Sequence, residues 1–242
     1  LQAACGAMAH AWVCSAVRDI RAGQADALVT APINKEALRL AGVGFPGHTE
    51  MLAHLTDTPA PCMAFYAPGL IVSLATIHEA LTDVPGLLTV PSLLRTIRLT
   101  HAACRRFGIA SPRVGVLALN PHAGEHGLFG NEEERVILPA IRQAQQEGVA
   151  AGGPLVPDTA FTWLGKKGAE APFDAYVAMY HDQGLIPFKM VAFDTGVNLT
   201  LGLPIIRTSP DHGTAFDLAW QGKASPASLF SAIALAARMA RS

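Results

Sequence analysis

The stretch from Tyr176 to Asp217, YVAMYHDQGLIPFKMVAFDTGVNLTLGLPIIRTSPDHGTAFD, constrains the fold of this chain more than any other. Its apolar runs are continuous rather than alternating, and each breaks off at polar groups: His181 and Asp182, then Lys189, then Arg207, then Asp211 and His212. A continuous apolar run reads as a strand buried on both faces, the signature of a mainly parallel sheet covered by helices. The abrupt ends are where such a sheet presents reactive side chains at its rim.

The rest of the chain repeats this alternation. A helix runs to about Ala22 and stops at Gly23, a suitable residue just past a helix end. ADALVTAP is a strand, and Asn34 caps the helix KEALRLA. CMAFYA and LIVSLAT are strands joined at Pro68-Gly69. Thr89 and Pro91 open a helix that closes with Arg105, Arg106 and Gly108. RVGVLAL is a strand, and Asn131 with Glu134 forms a capping-box variant for a helix to about Gln146. GVAAGGP reads as a linker, Asp158 and Thr159 as a helix start, and AYVAMY as a strand ending at His181. VNLTLG and PIIRT are strand-like, DHGTAFDLA turns into a helix, and Ser225-Pro226 caps the last helix. The class is α/β.

Composition excludes several functions. Of 242 residues half are hydrophobic and 15% are charged, so a large core is available. A net charge of −1 without runs of one sign excludes a phosphate-backbone binder, so no nucleic-acid partner is expected. Cys5, Cys14, Cys62 and Cys104 lack CxxC spacing and read as reduced thiols of a cytoplasmic protein. Leu1 to Val17 carries no charged residue, but it has no basic leader and is short for a bilayer span. It reads as a core-packed helix of a protein with no membrane partner. A first residue of Leu suggests a piece of a longer chain. Gly42, Gly44 and Gly47 match GxGxxG in spacing only: a helix precedes them and Pro46 interrupts them, so they are a loop delivering His48 and Thr49 to a helix start.

Three histidines follow three separate strands: His78 after LIVSLAT, His122 after RVGVLAL and His181 after AYVAMY. Imidazoles gathered at strand ends suit a divalent metal with an open position. Spacing alone does not choose the ligands among His48, His78, His122, His181 and His212. Lys189, Asn198 and Arg207, nine residues apart, fall on neighbouring strand-like runs. Cations there face either a phosphate or carboxylate of a ligand, or an internal acid such as Asp182 or Asp194. Asp158, Asp182, Asp211 and Glu125 are the candidate bases or histidine-orienting groups.

These motifs converge. GFPGHTE, the run from Asn120 to Glu133 (NPHAGEHGLFGNEE), MYHDQG from Met179 to Gly184, and the segment from Val197 to Asp217 together resemble the 4-hydroxythreonine-4-phosphate dehydrogenase family of pyridoxal phosphate biosynthesis. The likeness extends from Ala25 onward. It implies two α/β subdomains like those of isocitrate and isopropylmalate dehydrogenases, with the active site in the cleft: residues 1–41 and 205–242 form the first, and 42–204 the second with metal ligands and dimer interface. It implies oxidation of 4-phosphooxy-L-threonine with NAD or NADP to a 3-oxo acid that decarboxylates. It makes His78, His122 and His181 the metal ligands, with zinc favoured over magnesium, cobalt, nickel or manganese. His48, Thr49, Lys189, Asn198 and Arg207 become substrate contacts, and His48, Asp158 and Asp182 the candidate bases. It implies a homodimer with shared active sites, NAD near the NPHAGEHGLFG region without assigned residues, and a further role for His212 outside the metal shell. The family's glycine- and proline-rich opening segment and first strands are absent here. Glu79 in the loop EALTDVP and Trp220 in place of a glycine depart from its pattern. They leave room for a related dehydrogenase of another phosphorylated hydroxy acid or a dihydrodiol, and a metal-dependent hydrolase is the reading from outside the class.

Overall fold

The structure, a computed structural model, describes residues 2–166 and 170–241; Leu1 and Ser242, the outer ends of the expected first subdomain, lie outside the described residues. In chain order the elements begin α1 (Ala3–Arg21), β1 (Ala27–Val29), α2 (Lys35–Leu40), α3 (His48–Leu55), β2 (Cys62–Ala67) and β3 (Leu70–Leu74). Next come α4 (Val84–Leu87), α5 (Val90–Arg106), β4 (Arg113–Leu117), α6 (Leu138–Gln146), β5 (Ala150–Leu155) and α7 (Pro157–Ala160). The chain ends β6 (Ala175–Ala178), α8 (His181–Ala192), β7 (Val197–Leu201), β8 (Ile206–Pro210) and α9 (Ala227–Ala240). They form two compact units: Leu1–Pro61 with Asp194–Ser242, and Cys62–Phe193.

In the second unit the strands run β2-β3-β6-β4-β5. β3, β6, β4 and β5 are parallel neighbours, and only β2 is antiparallel to β3. β6 explains the continuous apolar run: Tyr176 and Ala178 pack into a core with Phe188 and Leu185 of α8, while Val177 and Met179 enter another with Leu93 and Ile97 of α5 and Ile137. Successive side chains alternate faces, so both faces must be apolar. α5 starts as expected, with Thr89 Oγ1 accepting from Ser92 N–H (3.2 Å) and Ser92 Oγ accepting from Thr89 N–H (3.1 Å).

In the first unit β8 lies between β1, parallel, and β7, antiparallel. α9 buries Ala232, Leu235, Ala236 and Met239, and Thr208 of β8 donates to its Ala232 carbonyl (2.9 Å). α1 crosses α2 so closely that a Cβ on Gly6 would sit 2.0 Å from the Ala37 carbonyl oxygen. Only Gly6, Val13 and Val17 of α1 are buried, while Met8 and Trp12 are exposed. The helix is packed along one side rather than enclosed in the core. No helix among the described residues is long and apolar enough to cross a membrane.

Other local expectations change. The GVAAGGP linker is largely β5, an edge strand, where glycine and proline are tolerated because one side makes no ladder. Asn131 and Glu134 do not form a capping box; the helix opens through a π turn, Glu133–Ile137, because the two glutamates before Glu134 are engaged with the preceding loop. Lys189 is on α8, not on a strand. DHGTAFDLA yields a single 3₁₀ turn, Phe216–Leu218.

Candidate functional site

The strand-end histidines follow three adjacent parallel strands in the order β3, β6, β4. Past the end of β3, Ala75 N–H and Thr76 Oγ1 bond to the carbonyls of Ala178 and Met179 (2.8 and 2.7 Å), holding the two strand exits together. His78 and His181 emerge side by side, ring centres 5.7 Å apart. Two imidazoles sharing one ion at about 2.0–2.1 Å would have ring centres about 5 Å apart, so this pair fits a common metal with a small adjustment. His181 opens α8, and its Nδ1 lies 2.6 Å from Asp182 Oδ1, which leaves Nε2 available to a ligand. Gln183 pins the same exit, accepting from Met179 N–H and donating to the Ala118 carbonyl (both 2.7 Å).

His122 follows β4. It lines a cavity of about 340 Å³ with Asn120, Asp158, Tyr180 and Gln183, and its ring neighbours Phe129 at 6.2 Å. Among the described residues no three His, Cys, Asp or Glu side chains gather closely enough to hold a metal ion. The backbone that presents His122 is left-handed over His122, Ala123, Gly124, Glu125 and His126, with φ between 43° and 82°. For residues with a Cβ this costs about 1–2 kcal/mol each, so the surroundings must enforce it. Glu133, 2% exposed, does so from below: Oε1 accepts from Leu119 N–H (2.9 Å) and Asn120 N–H (2.8 Å), and Oε2 from Asn120 Nδ2 (2.9 Å). Asn120 Nδ2 also donates to Glu132 (2.7 Å), whose carboxyl this bond holds below the usual carboxylate range.

A second constellation lies in the other unit. Arg207 of β8 is 6% exposed. Its Nε and Nη2 donate to Thr30 Oγ1 (3.2 and 2.8 Å), and its Nη1 to Asn198 Oδ1 (3.1 Å) and Thr200 Oγ1 (3.0 Å). All of these acceptors are neutral, and among the described residues no carboxylate lies within ion-pair distance. Burial lowers its pKa to about 10, so the charge survives at neutral pH. His48, first residue of α3, is half-buried, and burial followed by the charge of Arg207 lowers its pKa to about 4. It is therefore neutral at pH 7 and can accept a hydrogen bond. Thr49 follows it, half-buried, in the first turn of α3. Back in the second unit, Lys189 is half-buried on α8 with its ammonium 5.6 Å from the Phe193 ring centre. Asp158 and Asp182 are exposed. His212 is exposed in the loop after β8, with Nδ1 2.9 Å from the Gly213 carbonyl.

The sequence reading missed Glu133, Gln183, Thr30 and Thr200. Glu133 and Gln183 lie inside quoted motifs, so their spacing to Asn120 and His181 was the available signal. Thr30 is 177 positions from Arg207 and had none.

Residues 1–236 match the model of the family described as pyridoxal phosphate biosynthetic protein PdxA. The chain is similar to 4-hydroxythreonine-4-phosphate dehydrogenase of Geobacter metallireducens, 55% identical over 229 residues, covering 95% of this chain and 66% of that relative. Among solved structures it is similar to 4-hydroxythreonine-4-phosphate dehydrogenase of Klebsiella pneumoniae, with 45% identity and TM-score 0.90, covering 100% of this chain and 72% of that one. It is also similar to a terephthalate 1,2-cis-dihydrodiol dehydrogenase of Burkholderia xenovorans, with 35% identity and TM-score 0.75, covering 98% of this chain and 74% of that one.

Proposed function

The chain belongs to the PdxA family of pyridoxal phosphate biosynthetic proteins, and from that premise we propose that it serves an NAD(P)-linked, metal-dependent dehydrogenase that oxidises 4-phosphooxy-L-threonine at its secondary hydroxyl. The 3-oxo acid formed then loses CO2. The observation that carries the reading is Arg207: a buried guanidinium that, among the described residues, meets only neutral acceptors is a charge kept for an anion that arrives from outside.

His78, His181 and His122 would hold a divalent ion, zinc by the chemistry of three imidazoles, which would lower the pKa of the bound hydroxyl. NAD or NADP would accept the hydride. The chain's own groups do the rest. Arg207 and Asn198 would bind the phosphate, Thr49 would add a hydroxyl contact, and Lys189 is a further proposed substrate contact. Asp182 fixes the orientation of His181. The base is one of His48, Asp158 and Asp182. His48 begins neutral, chiefly because it is buried and secondly because of the Arg207 charge; a phosphate beside Arg207 would offset the second of these causes.

The working site is assigned to a homodimer in which a second copy completes the ligand set, as the likeness of the motifs implies. Ile186, Met190 and Phe193, exposed on or next to the helix that carries His181, support an apolar contact there. The setting proposed is the cytoplasm. The departure at Glu79 keeps open a related substrate, such as the dihydrodiol named for the 35% identical neighbour.

The test is absorbance at 340 nm when 4-phosphooxy-L-threonine is added with NAD and a divalent metal. NADH formation that His122→Ala abolishes supports the assignment. Turnover that survives both chelation and His122→Ala sinks the metal role, and no NADH from the wild-type chain with either nicotinamide sinks the activity.

A further inference from the structure

The geometry points to Glu133 as the positioning residue for His122: its buried carboxylate fixes the left-handed loop that presents that imidazole. The metal consequence rests on the reading of His122 as a ligand; the loop consequence does not.

Three N–H groups converge on this carboxylate, two from the backbone of Leu119 and Asn120 and one from the Asn120 side chain. Leu119 and Asn120 are the entrance of the loop. The exit is gripped as well, since Glu132 accepts from both Asn120 Nδ2 and Asn131 N–H (2.7 and 3.2 Å). Two glycines make room for this clamp. A Cβ on Gly124 would lie 2.8 Å from Glu133 Oε2, and one on Gly130 would lie 2.5 Å from Asn120 Nδ2. The run from Asn120 to Glu133 is thus one mechanical unit, in which a buried acid holds five residues at positive φ. Only a carboxylate serves. An amide at 133 offers one acceptor oxygen and turns an NH2 toward a third donor at a buried position. Among the described residues Glu133 has no cationic partner, so its charge is offset by these donors alone. A carboxylate retained without a counter-ion is explained by the loop it shapes.

The experiment uses the full chain with Glu133→Gln, Gly124→Ala and His122→Ala. It follows chymotrypsin cleavage at exposed Leu128 and Phe129, the His122 imidazole NMR signals, thermal unfolding, and Co²⁺ binding by visible absorbance. Glu133→Gln is expected to speed cleavage about tenfold or more as the loop opens locally, to move the His122 signals, and to weaken Co²⁺ binding about 10- to 100-fold. Gly124→Ala, which pushes on the carboxylate instead of removing it, shifts all three in the same direction and decides the matter if Glu133→Gln does not fold. His122→Ala abolishes Co²⁺ binding and leaves cleavage at the wild-type rate. Unchanged cleavage and His122 signals, even with a lower melting temperature, overturn the proposal. A loosened loop in Glu133→Gln with Co²⁺ binding indifferent to His122→Ala upholds the clamp and removes the metal reading.

Discussion

Arg207 and His122 are both proposed to serve one reaction, yet they are held in opposite ways. Arg207 lies in a strand, buried, its donors met by Thr30 just past β1 and by Asn198 and Thr200 of β7. His122 lies on an exposed loop whose backbone is left-handed at five successive residues, four of them carrying a Cβ, and braced from beneath by Glu133. The difference follows from what each must do. A guanidinium that recognises phosphate gains from being fixed and desolvated before the ligand arrives. A metal-ligating imidazole must project past the sheet edge, where no ladder holds it, so order comes from a clamp.

The contrast can be broken most forcefully at Arg207. Arg207→Met removes the anion site and orphans several acceptors; kcat/KM for the phosphorylated substrate is expected to fall by roughly 30- to several-thousand-fold, about 2–5 kcal/mol. Wild-type kcat/KM in this variant would mean that the charge is structural.

His48 gives the next effect, through pH. Its folded pKa of about 4 lies below the unfolded value of 6.5, so the unfolded chain binds more protons between them. The contribution is fully present above pH 6.5 and is lost as pH falls toward 4, on the order of 3 kcal/mol in all. Urea unfolding of His48→Phe against wild type from pH 7.5 to 4.5 should show wild type losing stability relative to the variant as acid is added. Parallel curves would contradict the burial and the proximity to Arg207.

At the metal end, Asp182→Asn is expected to weaken divalent-metal affinity about 10- to 100-fold with little change in melting temperature, because the pair is exposed. A titration of the metal-free chain measures it, and an unchanged affinity would leave Asp182 as a surface neighbour.

How far the sequence carried this picture depends on range. The placement of His78, His122 and His181 beyond β3, β4 and β6 was legible, because a strand buried on both faces writes itself as an unbroken apolar run. The start of α3 at His48 was legible for a similar local reason. Lys189 was misplaced because LIPFKMVAF carries aromatic and β-branched residues and Pro187; its helix is secured by packing of Leu185 and Phe188 that no local pattern encodes. β5 was hidden by glycines that only an edge strand tolerates. The left-handed loop was invisible because four of its five residues are not glycine. Arg207's satisfaction by neutral groups was beyond reach, since Thr30 and Arg207 meet across most of the chain.

The most direct measurement is the ratio of kcat/KM for 4-phosphooxy-L-threonine to that for unphosphorylated 4-hydroxy-L-threonine, with NAD and zinc, in wild type and in Arg207→Met. A dehydrogenase anchored through a buried guanidinium gives a ratio of about a hundred or more that collapses toward one in the variant. A wild-type ratio near one, or a large ratio untouched by the substitution, would contradict it.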